Sequence, residues 1–196
     1  MSILRVARLG HPVLRRVADP IPPDAISDPE IQRLIDDMLE TVEAYDGAGL
    51  AAPQVHVSLR LVVLQLDVET GMQVWINPVL EPQGDELLAT FEGCLSVPGM
   101  RGAVARPTRV EVRALDRFGA PLHFLLEDFP AVVAQHECDH LDGVVYVDRV
   151  DPRTLAFVEE LRRFGPFPWD GEDEDEEGAL DDALTGDENS ADEESS

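Results

Sequence analysis

Residues 129–143 read FPAVVAQHECDHLDG, and this stretch organises the rest of the chain. On a helix turning about 100° per residue, His136 and His140 stand one turn apart, about 40° out of line. Two imidazoles so placed can chelate one cation. Glu137 lies only about 60° from His140, so its carboxylate can reach a water at that cation without being a ligand. Cys138, at about 200° from His136, faces away and reads as a small buried apolar residue. The flanks, FPAVVAQ before and LDGVVYV after, are apolar, so the helix should be central and buried. Buried histidines beside a buried Glu demand partners, and a cation supplies them.

Outward from this helix, Ile31, Leu34, Ile35, Met38, Leu39 and Val42 recur at steps of three and four, one face of an amphipathic helix. Asp28 as N-cap, Pro29 at the first helical position and Gly47 as stop frame it. Before it, residues 1–29 are rich in Pro and turn residues and predict an irregular wrap. After it come short apolar or alternating runs, RLVVLQLDV, MQVWINPVL, ELLATFEGCLSV and RVEVRALD, with a hairpin turning at Arg117-Phe118-Gly119. The metal-type helix is expected from about Pro130 to Leu141. A strand over VVYVD and a short helix from Pro152 to Phe164 should follow. Strands in one block with helices on either side predict an α+β fold. Short antiparallel β-sheets would pack around the central helix, with an N-terminal helix and a short C-terminal one.

The 196 residues allow one domain with a hydrophobic core, expected over 1–169. Residues 170–196 hold 14 acidic and no basic residues and should form a disordered tail. The net charge of −25 overstates the globular part, where 26 acidic face 15 basic residues, net −11. Such a surface repels a phosphate backbone, so direct nucleic-acid binding is not expected. No apolar run is long enough for a membrane span, and MSILRVARLGHPVL lacks a signal-peptide layout, so the expected location is cytoplasmic. Cys94 and Cys138 then read as free thiols.

A catalytic metal needs three protein ligands and one open position. Cys94, in Glu92-Gly93-Cys94-Leu95-Ser96, is a candidate third ligand; from its own context it reads more often as a buried structural thiol than as a ligand. His11, His56 and His123 sit in no matching ligand pattern. The segment Gly47-Ala48-Gly49-Leu50-Ala51-Ala52-Pro53-Gln54 reads as a tight loop whose small residues let a substrate backbone approach. Gln54 in it offers a donor and an acceptor.

Taken together and in this order, GAGLAAPQ, EGCLS and QHECDH resemble the signature set of the peptide deformylase family. The resemblance covers about residues 1–165. It implies an enzyme that removes the formyl group from formyl-methionyl nascent polypeptides, working near the ribosome exit in the bacterial cytoplasm. It further implies one divalent metal ion per chain on Cys94, His136 and His140, commonly Fe(II) in the cell, with zinc, nickel or cobalt able to replace it. Glu137 would move protons, and Gln54 with the backbone N–H of Leu95 would stabilise the oxyanion. For substrate binding, Val132, Val133 and Phe129 lie one and two turns before His136 and can line an apolar slot. Gly49 can let the peptide pair as an added strand, and Arg101 sits where the family often has an Arg near the substrate's carboxyl side. Glu92 is placed to orient a ligand. The chain departs from the family at Val55-His56, where an apolar residue and Gly are common. Two rival readings are an ordinary zinc protease, which usually takes its third ligand from His or Glu, and a family member that has lost catalysis.

Overall fold

The computed structural model describes residues 2–67 and 71–166; the predicted acidic tail, 170–196, lies outside them. Helix α1 (Pro29–Ala44) starts with Pro29 at its first position, as expected, although Asp28 makes no side-chain capping bond. The described part of the segment before it is the predicted wrap, with two short 3-10 turns, Pro12–Arg15 and Pro23–Ala25, and an isolated parallel bridge from Asp19 to Leu59. Seven strands follow: β1 (Gly49–Ala51), β2 (Leu61–Gln65), β3 (Met72–Pro82), β4 (Leu87–Cys94), β5 (Val97–Pro107), β6 (Arg109–Leu115) and β7 (Pro121–Glu127). Then come α2 (Asp128–Leu141), β8 (Ala156–Phe157) and α3 (Val158–Phe164). One sheet has the order β1-β2-β3-β6-β7 and the other β4-β5-β8, and every paired strand in both is antiparallel.

The five-stranded sheet lies between the two long helices, and β2 carries the reason. Val62 and Leu64 belong to the core that contains Ala131, Ala134, Cys138 and Leu141 of α2. Leu61 and Val63 belong to the core that contains Ile35, Met38 and Val42 of α1. A strand covered on both faces has no use for a polar alternate, hence the unbroken LVVL. Strand β6 has one covered face, so Val110, Val112 and Ala114 point inward between Glu111 and Arg113. Helix α2 buries residues round most of its circumference, the mark of a helix inside a fold. It ends at Leu141, and the chain then turns at Gly143, whose φ of +75° suits glycine and where a Cβ would lie 2.9 Å from the Arg15 backbone.

Three expectations need correction, and one strand was not foreseen. VVYVD is no strand: Tyr146–Asp148 is a 3-10 turn, with Asp148 Oδ2 accepting from the Val145 N–H at 2.9 Å. The last helix starts at Val158, because Ala156 and Phe157 first pair with Arg101 and Met100 of β5. GAGLAAPQ is no plain loop, since Gly49–Ala51 pairs with β2 and Ala52–Val55 forms a 3-10 turn. Strand β5 extends to Pro107, through residues whose sequence shows no clean alternation.

Candidate metal centre

Three chain segments meet at the inner face of α2. The β4–β5 hairpin turns at Leu95-Ser96, with Cys94 paired to Val97. This turn carries the Cys94 thiol to the helix, where Sγ lies 3.3 Å from His140 Nε2. The candidate ligand atoms of Cys94, His136 and His140 all fall within 4.8 Å of one another. His136 Nδ1 donates to Glu92 Oε2 at 2.8 Å, which fixes its tautomer and leaves Nε2 for the cluster. The Glu92 carboxylate in turn accepts two bonds from buried Arg106, whose third nitrogen donates to Asp139.

Burial pushes the Glu92 carboxyl up, but the bonds from Arg106 and His136 outweigh it and hold the group below its ordinary range. The Cys94 thiol is likewise raised by burial, yet the charge of His140 and the hydrogen bonds of both histidines bring it well below its usual value. A thiolate, rather than a thiol, is the form that ligates a metal. Glu137 goes the other way: burial raises its carboxyl above the usual range, with His136 and His140 pulling it back in part. Cys138, on the far side of the helix, packs in the apolar core, and desolvation drives its thiol upward as expected for an inert cysteine.

Glu137 is packed against β1. A Cβ on Gly49 would lie 2.7 Å from Glu137 Cγ and Oε1, so the strand can pass only as glycine. Gln54, also buried, accepts from the Ala51 N–H through Oε1 at 2.8 Å and turns Nε2 toward Cys94 Sγ, 3.5 Å away. Leu95 lies in the hairpin turn, and its Cδ1 reaches the Gly47 end of the same segment, where a Cβ would lie 3.2 Å away. Among the substrate-pocket candidates, Val132 and Val133 are buried on α2, Val133 within the apolar core, while Phe129 at the start of the helix is exposed. Arg101 lies on β5 opposite Gly93, with its guanidinium against that glycine. His56 keeps the loop despite lacking glycine's freedom: it adopts the left-handed conformation, φ 67°, with its ring 4.6 Å from that of His11.

Two imidazoles, a thiol held toward its ionised form, and the buried Glu137 Oε2, which has no hydrogen-bond partner, fit a divalent transition metal. Arg106, Asp139 and Ser96 complete the surroundings and were not singled out in the sequence. An acid buried beside a histidine requires a cation, but nothing local says which of 15 arginines supplies it.

The Polypeptide deformylase family model matches residues 3–156, more than three quarters of the chain. The chain belongs to the polypeptide deformylase family. Two curated family proteins agree: peptide deformylase 1 of Prochlorococcus marinus (strain MIT 9313) is 45% identical over 175 residues, covering 84% of this chain and 90% of that protein. The peptide deformylase of Azotobacter vinelandii is 48% identical over 149 residues, 76% of this chain and 87% of its own length. A Met-Ala-Ser-bound class I type b peptide deformylase from Acinetobacter baumannii superposes with a TM-score of 0.71 at 33% identity, covering 76% of this chain and 98% of that one. The deformylase fold is therefore present over the described core, and with it an enzyme of the metal-binding hydrolase class acting in protein biosynthesis. Among the described residues, no helix is long and apolar enough to cross a membrane.

Proposed function

We propose that this chain hydrolyses the N-terminal formyl amide of formyl-methionyl nascent polypeptides, releasing formate and a free amine. The observation that carries the reading is the Cys94, His136 and His140 donor set, gathered within 4.8 Å beside Glu137. These three residues would hold one divalent cation, with Glu92 fixing the His136 ring. A cation there supplies Lewis-acid chemistry and brings the pKa of water toward about 7.

Glu137 takes the proton of the attacking water and later gives it to the departing amine. Its upward-shifted carboxyl suits a group that must both accept and return a proton. Gln54 Nε2 and the Leu95 N–H donate to the oxyanion; losing one such donor typically costs about 2.7–4 kcal/mol of barrier. The peptide pairs along β1, which among the described residues ends its sheet and pairs only with β2. Gly49 keeps this strand close to Glu137. Val132, Val133 and Phe129 take the methionine side chain, and Arg101 faces the peptide's carboxyl side.

For the cation in the cell we propose iron(II); intrinsic affinity alone favours zinc, so supply decides. The enzyme is placed in the bacterial cytoplasm near the ribosome exit, without direct contact to RNA.

The test is Glu137→Gln in protein purified without oxygen, with metal quantified on the same sample and formate release followed from formyl-Met-Ala-Ser. Turnover should fall about 10²–10⁴-fold with metal content retained. Unchanged formate release would overturn the assignment.

A further inference from the structure

Ser96 closes the Glu92–Ser96 motif, yet neither metal binding nor oxyanion stabilisation gives it a task. It is completely buried in the hairpin turn. Its hydroxyl accepts from Gln54 Nε2 at 3.3 Å, while its backbone N–H donates to Cys94 Sγ at 3.4 Å. A carboxamide is planar and carries two N–H bonds, so fixing its oxygen and one N–H fixes where the other points. Here Oε1 is held by the Ala51 N–H at 2.8 Å, Ser96 Oγ takes one N–H, and the second is directed at Cys94 Sγ, 3.5 Å away. That direction leads into the metal centre.

The backbones of the two residues are tied independently of their side chains. Ala7 N–H donates to the Gln54 carbonyl and Leu9 N–H to the Ser96 carbonyl, each at 2.7 Å. Alternate residues of one N-terminal segment thus tie both loops to the same stretch of chain. What remains for the Ser96 hydroxyl is the rotation of the Gln54 side chain.

We propose that Ser96 is a positioning residue that acts through Gln54: its hydroxyl turns the carboxamide so that one N–H is presented to the developing oxyanion. This rests on the reading of Gln54 as an oxyanion donor. When the carbonyl oxygen arrives, Gln54 gives up its long bond to sulfur and keeps the one to Ser96, so no reorganisation of the amide plane is needed.

The test is a double-mutant cycle on the full, metal-loaded chain, with Ser96→Ala, Gln54→Ala and the pair. Ser96→Ala should lower kcat about tenfold with KM nearly unchanged, and should cost nothing further in the Gln54→Ala background. With cobalt as the loaded metal, the sulfur-to-metal absorption band should stay in place, because the Cys94 bond from the Ser96 backbone survives. In the nitrogen-15 spectrum, the Gln54 carboxamide pair (assigned by its loss in Gln54→Ala) should shift and exchange faster in Ser96→Ala. Equal losses in both backgrounds, a displaced cobalt band, or an unmoved Gln54 resonance would each overturn the proposal while leaving the oxyanion reading intact. Undiminished turnover in Gln54→Ala would instead remove the oxyanion reading and the proposal with it.

Discussion

Gly49 and Glu137 meet so closely that one added atom would displace the proposed base. The Cβ of an alanine at 49 would sit 2.7–2.8 Å from three atoms of the Glu137 side chain. Strand β1 is pinned to β2 through Gly49↔Leu64, so relief must come from the carboxylate. Gly49→Ala should therefore cut kcat/KM at least about tenfold, since misplacing a reacting group by about an ångström is enough for such losses. The melting temperature should move by only a few degrees. Steady-state kinetics beside a thermal melt checks this, and full activity would show that Glu137 has slack the close packing denies. The residue scale also explains why His56 is tolerated: histidine is among the side chains that visit the left-handed region, and it meets the His11 ring there.

Helix α2 and the β4–β5 hairpin are joined by a buried line of charge running from Asp139 through Arg106 and Glu92 to His136. Removing Glu92 leaves buried Arg106 with Asp139 as its one carboxylate partner and takes the acceptor from His136 Nδ1. Glu92→Ala should cost about 3–5 kcal/mol, read as a fall in the urea midpoint. The same pair sets an acid sensitivity. The folded-state carboxyl of Glu92 lies below its ordinary 4.5, so the unfolded chain binds more protons in that window. Its stabilisation is complete above that value and is lost as pH falls through the folded one. Urea titrations of metal-free protein from neutral pH down to about 3 should show this loss in the native sequence and a smaller one in Glu92→Ala. Parallel curves for the two proteins would contradict the assignment.

At the scale of the whole molecule, the five-stranded sheet clamped between α1 and α2 forms the platform, and the smaller sheet delivers Cys94 to it. The family match ends at residue 156, and none of the site residues lies beyond it. We propose 1–169 as the catalytic unit, with 170–196 not needed for turnover. Truncation after Trp169 should leave formate release from formyl-Met-Ala-Ser within a few-fold of the full chain. A collapse of turnover in a soluble truncated protein would make the acidic stretch part of the enzyme.

Local periodicity alone determined α1, α2 and the shared face of His136, His140 and Glu137, because a helix converts sequence spacing directly into direction. The covered strand β2 and the half-covered β6 were legible for the same reason. Joining Cys94 to those histidines took the resemblance of three motifs, since no local rule measures the distance across 46 residues. Only the tertiary structure decided that Arg106 answers Glu92, that Gly49 is a strand wedged against Glu137, that Ser96 holds Gln54, and that Tyr146–Asp148 turns instead of extending. These are contacts between segments distant in the chain or pieces too short to show a period. Their partners are chosen by packing, which a residue's own neighbours in sequence do not encode.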